Sequence, residues 1–96
     1  MTAYWVNTVM EMRDPAKVAA YAELATPAIA AAGGRFLVRG TPAKVYESGL
    51  LERQVIIAFP SVEAAVGCYE SEEYQAAMVA LGDGAVRDLR ISEGIE

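Results

Sequence analysis

The stretch FPSVEAAVGCYESEEYQ, residues 59–75, holds two serines that each stand where a helix would begin, Ser61 and Ser71. A serine at a helix start accepts a hydrogen bond from one of the backbone N–H groups that the first turn leaves unpaired. Pro60 breaks the segment before Ser61, Gly67 weakens the first helix, and Glu72 and Glu73 suit the positive end of the second. The segment therefore predicts one crossover built from two short helices.

Moving outward, RQVIIAF (53–59) is apolar almost throughout, as expected of a central strand covered on both faces. Before it, RFLVRG (35–40) opens a strand that Gly40, Thr41 and Pro42 interrupt and AKVYE (43–47) continues. Proline cannot donate to a ladder, so this predicts an edge strand bulged at the interruption. AYWVNTVMEM (3–12) reads as a first strand, rich in aromatic and β-branched residues. Asp14 and Pro15 then start a helix whose apolar stripe is Val18, Tyr21, Ala25, Ala28, Ile29 and Ala32, with a kink or restart expected at Thr26-Pro27 and an end at Gly33-Gly34. After Gly82-Asp83-Gly84, AVRDLRISEGI alternates as a last strand. The order strand, helix, strand, strand, helix, strand matches the ferredoxin-like split βαβ motif: an α+β fold with a four-stranded antiparallel sheet, one domain over residues 1–96.

Composition narrows the function. The net charge is −5 with no histidine, and residues 49–96 carry three basic against nine acidic side chains. Nucleic acid and anionic membranes need a basic footprint, so neither is expected as a partner. One cysteine forms no internal disulfide and the first residues lack a signal-peptide pattern, so the expected location is cytoplasmic. Without histidine there is no Ser/His/Asp triad and no His-ligated zinc or haem, and no phosphate-cradling glycine motif is present; no metal or cofactor is expected.

Hydrophobic residues form 54% of the chain, which leaves apolar surface to cover. In a ferredoxin-like unit both helices lie on one face of the sheet. The alternation separates Trp5, Asn7 and Val9 from Tyr4, Val6, Thr8 and Met10, Phe36 and Val38 from Arg35, Leu37 and Arg39, and Leu89 and Ile91 from Asp88 and Arg90. With the Asn7 side placed away from the helices, the open face mixes large apolar groups with a few polar ones. That suits a face-to-face homodimer enclosing a pocket; a monomer with a solvated sheet face is the alternative.

GGRFLVRG (33–40), VIIAFPSVEAA (55–65) and YESEEYQAA (69–77), in this order and spacing, resemble the bacterial family of unknown function numbered thirteen-thirty, within the dimeric α/β-barrel superfamily. The resemblance spans nearly the whole chain. It implies a ferredoxin-like protomer, a barrel of two facing sheets, and a cavity between sheet and helices or between protomers. Other branches of that superfamily include cofactor-independent oxygenases, lactone isomerases, haem-binding enzymes and ligand sensors. The chain differs from the family pattern at Gly82-Asp83, where an arginine is usual, and at Thr41, where a second glycine is common.

Five residues are candidate ligand contacts. Arg39 offers a planar guanidinium to a carboxylate or enolate, or else forms a salt bridge to Asp88 or Glu47. Asn7 suits holding a carbonyl or oxyanion, or satisfies a neighbouring backbone group. Tyr69 and Tyr74 pack against the sheet, with hydroxyls able to reach a ligand. Asp88 pairs across a dimer seam or faces the pocket. Cys68, with no histidine to activate it, reads as a small buried hydrophobe, Trp5 as core, and Arg53 as exposed. Two functions follow: a cofactor-independent enzyme acting on a small apolar acid or carbonyl compound, or a non-catalytic module that binds or senses a small ligand.

Overall fold

Strand β1 (Ala3–Met12) buries every second residue from Ala3 to Val9, with Trp5 at 1% exposure and Asn7 at 6%. The computed structural model describes residues 1–95. Helix α1 (Pro15–Ala31) follows, then β2 (Arg35–Gly40), β3 (Gln54–Phe59), α2 (Val62–Glu70), α3 (Glu72–Leu81) and β4 (Ala85–Glu93). The strands form one antiparallel sheet in the order β2-β3-β1-β4, the ferredoxin-like arrangement, with β3 and β1 inside and β2 and β4 at the edges.

Each helix starts as its sequence dictates. Asp14 accepts from the backbone N–H of Ala16, and Ser61 accepts from that of Ala64. Ser71 closes one helix and opens the next: its hydroxyl donates to the Cys68 carbonyl at 2.7 Å and accepts from the Tyr74 N–H at 3.2 Å. Helix α1 runs through Pro27 without restarting, and Ala25, Ala28 and Ile29 on either side are anchored in the core. One expectation fails. AKVYE does not continue β2; residues 41–53 carry no strand.

The core lies between the sheet and the helices. Trp5 is at its centre, stacked on Phe59 at 5.7 Å between ring centroids and meeting the edge of Tyr74 at 5.2 Å. The Trp5, Asn7 and Val9 side of β1 therefore faces the helices, which reverses the orientation expected from alternation alone. The physical reason is bulk: Trp5, Ile57, Phe59 and Tyr74 are the largest fully buried side chains, and the helices supply the partners they need.

The bulge in β2 is at Leu37, not at Gly40-Thr41-Pro42. Phe36 pairs with Ile57 and Val38 with Ile56, so Leu37 is the extra residue. After it the alternation is inverted. Arg39 pairs with Val55 and joins Phe36 on the helix side, while Val38 turns to the open face. A similar irregularity at Met10 in β1 keeps Met12 and Ala85 on the helix side. At the far end, Gly84 packs where an added Cβ would come within 2.7 Å of Lys17 Cβ, and its carbonyl accepts from the N–H groups of Arg13 and Asp14. Lys17 Nζ also donates to Asp83 at 2.6 Å, so the turn before β4 is fastened to the start of α1.

Candidate ligand-binding site

Between α1 and the sheet lies a cavity of about 350 Å³. Strand register orders its floor into rows. The innermost is Phe36, Ile57 and Trp5; the next is Arg39, Val55 and Asn7; the outermost is Arg53, Val9 and Arg87, where the Val9 N–H donates to the Arg53 carbonyl at 2.9 Å. Tyr21, Val18, Ala22 and Ala25 of α1 form the roof. The floor thus passes from an apolar interior to an arginine-bearing mouth.

Among the described residues no aspartate or glutamate lines this cavity, yet three arginines do. None of the three is in a salt bridge among the described residues. Arg39 stacks on Phe36, its Cζ 4.6 Å from the ring centroid, rather than pairing with Asp88 or Glu47. Arg87 is partly buried. Its Nη1 donates to the Tyr21 hydroxyl at 3.0 Å, and its Nη2 to the Tyr74 hydroxyl at 3.3 Å and to Met78 Sδ at 3.2 Å; its Cζ is 4.8 Å from the Tyr21 centroid. Burial alone would lower its pKa, but the oxygens of Tyr21 and Tyr74 outweigh that and raise it, so the cation persists. A guanidinium among tyrosines with no carboxylate has its charge solvated but not neutralised.

Asn7 is the only buried polar residue of the described core, and its Oδ1 has no hydrogen-bond partner among the described residues. Leaving such an acceptor unpaired costs about 1–3 kcal/mol, which a donor brought by a ligand would recover. Tyr74 is fully buried; its hydroxyl lies 2.7 Å from that of Tyr21, and burial first, then Tyr21, drive its pKa well above the ordinary value of 10.0. Tyr69 packs against Tyr74 and Trp5 at 5.0 and 5.8 Å. Cys68 is buried with Sγ 3.8 Å from the Ala28 carbonyl, and burial pushes its thiol pKa up.

The structure brings Asn7 and Arg39 to one cavity and sets Tyr74 behind its wall. Asp88 is elsewhere. It pairs with Thr8 on the open face and accepts from Nε and Nη2 of Arg90 in its own chain at 3.0 and 3.1 Å. Three cavity residues escaped the sequence reading: Tyr21, counted only as part of a stripe; Arg53, taken as merely exposed; and Arg87. For Arg87 a signal existed. It shares the parity of Leu89 and Ile91, so an arginine occupies an inward slot of β4.

The fold is similar to that of RPA0582, a protein of unknown function from Rhodopseudomonas palustris, at 19% identity over 99% of this chain and 83% of that one, with a TM-score of 0.75. It is also similar to SnoaB, a cofactor-independent oxygenase from Streptomyces nogalater, at 16% identity over 99% of this chain and 94% of that one, with a TM-score of 0.63. No curated protein matches the sequence. Residues 2–95 match the model of the domain of unknown function DUF1330, and the chain belongs to that family.

Proposed function

We propose that the protein holds a small, largely apolar organic acid or carbonyl compound as its anion in the cavity under α1, and acts on it without a cofactor. One observation carries this: Arg39, Arg53 and Arg87 line a mostly apolar cavity that contributes no carboxylate to balance them. A carboxylate or enolate about 4 Å from one guanidinium gains about 4 kcal/mol at an effective dielectric of about 20, before desolvation is counted. The apolar rows of Trp5, Ile57 and Phe36 would take the hydrocarbon part, and Asn7 a ligand O–H or N–H. A cofactor-independent oxygenase with the same fold supports an enzymatic use of such a cavity.

The test uses the single tryptophan, Trp5, as the reporter. Titration of its fluorescence should show octanoate binding about tenfold or more tightly than octanamide, and Arg39→Met and Arg87→Met should each narrow that difference. Equal binding of acid and amide would refute the proposal. A second reading, a non-catalytic ligand-binding module, is favoured by the lining side chains, which include no imidazole, thiol or carboxylate to serve as a general base. Incubation with a mixture of small carbonyl acids under air separates the two: a product that Arg87→Met fails to form supports the enzyme.

The homodimer belongs to this proposal on separate grounds. Val6, Val38, Ile56 and Met10 leave apolar surface on the face without helices, and a second copy would cover it. A cytoplasmic location is retained for a chain whose one cysteine is a buried free thiol. Among the described residues no helix is long and apolar enough to cross a membrane.

A further inference from the structure

The triangle of Tyr21, Tyr74 and Arg87 contains a question of proton placement that burial decides. Arg87 only donates, and it donates to both phenol oxygens. The two hydroxyls are 2.7 Å apart, and one proton lies between them. Were Tyr21 the donor, the Tyr74 proton would have to find another acceptor around a side chain that is 0% exposed. With Tyr74 as the donor, that proton is satisfied, and the Tyr21 proton is left for the cavity that Tyr21 lines. The second arrangement leaves no donor of the pair buried and unpaired.

We infer that Tyr21 is the hydrogen-bond donor to the anionic oxygen of the bound ligand, with Tyr74 and Arg87 as positioning residues that turn its proton into the cavity. This rests on the organic-anion reading above and deepens it by placing the ligand's charged oxygen at the β4 end of the mouth, beside Arg87. The Tyr21 oxygen accepts two hydrogen bonds, one of them from a cation, and that polarises its own O–H toward an acceptor. Arg39 and Arg53, on the β2 and β3 side of the mouth, then supply field rather than the direct contact.

Two measurements test the inference. In proton NMR of the unliganded protein, the Tyr74 hydroxyl proton should exchange slowly with water, and that of Tyr21 quickly. A protected Tyr21 proton beside an exchanging Tyr74 proton would overturn the assignment. In the Trp5 fluorescence titration, Tyr21→Phe should weaken octanoate by about tenfold or more and octanamide, a neutral acceptor, by about threefold. Tyr74→Phe, which keeps the Tyr21 proton and removes one bond to its oxygen, should weaken octanoate by less than Tyr21→Phe does. If the wild-type protein prefers octanoate and Tyr21→Phe keeps that preference in full, the role of Tyr21 fails while the anion reading stands. If the wild-type protein shows no preference, the anion reading fails first.

Discussion

The two faces of the sheet are built from interleaved residues of the same strands, yet they do opposite work. On the helix side, Trp5, Ile57 and Phe59 are buried to within 2% of completely, and three arginines gather at the open end of the same surface. On the other side, Val6 and Ile56 remain partly exposed, Val38 is exposed, and charge is neutralised locally by the Asp88–Arg90 pair. Bulk separates the faces as cores, and the presence or absence of a carboxylate separates them as sites. A cation balanced by its neighbour two residues away needs no ligand. One held by two tyrosines and a thioether, with no carboxylate, has capacity left for an anion.

The contrast breaks first at Trp5. Trp5→Ala should cost about 3–5 kcal/mol in urea unfolding, whereas Val6→Ala, one residue along and on the open face, should cost less than about 1 kcal/mol in the monomeric protein. Equal losses would mean that the faces are not distinguished as described. Arg39→Met, at the position that the bulge carries to the helix side, is expected to lower octanoate affinity by about tenfold, about 1.4 kcal/mol, whereas Arg90→Met on the open face should leave it unchanged, with the helical circular dichroism the same in both.

A pH experiment sharpens the buried side. The Tyr74 pKa is raised in the folded state, so its contribution to stability is complete below pH 10.0 and is lost as the pH rises above that value, where the unfolded chain ionises first. Unfolding free energy should decline above pH 10.0 by about 1.4 kcal/mol per pH unit from this group, and Tyr74→Phe should remove that part of the slope. The smallest effect is expected at the solvent-exposed ion pair. The Lys17 hydrogen bond and charge lower the Asp83 pKa, so its stabilisation is present above pH 3.8 and lost as the pH falls through the folded-state value. Acid unfolding of Asp83→Asn should differ barely measurably from that of the wild type.

Much of the fold was legible because local chemistry and global order agree. The serines at 61 and 71, the proline at 15 and the apolar run of β3 each name an element boundary or type without help from the rest of the chain. The orientation of the sheet was not legible, because both parities of β1 carry apolar residues: Trp5 and Val9 on one, Tyr4, Val6 and Met10 on the other. Alternation defines two sets and leaves open which one the helices choose. The Arg39 side chain was misplaced for a related reason. Gly40-Thr41-Pro42 advertises an irregularity, while the real one sits at Leu37, a residue with no preference for bulges. Asn7 and Arg39 meet in the cavity because β1 turns its Asn7 side to the helices and the bulge at Leu37 brings Arg39 to the same side, both opposite Val55. Asp88 stays apart because its strand is regular there. The inward parity of Arg87 was legible, but its partnership with Tyr21 was hidden because it joins residues 66 positions apart, a relation only the packed structure creates.

The Leu37 irregularity has a consequence outside the cavity. β2 is an outer strand, and a regular outer strand offers its unpaired amides as a template on which a foreign chain could grow. Six residues long and interrupted by a bulge, this rim gives an incoming chain no even ladder to follow. The detail that turns a guanidinium inward thereby also guards the protein against fibrillar self-recruitment.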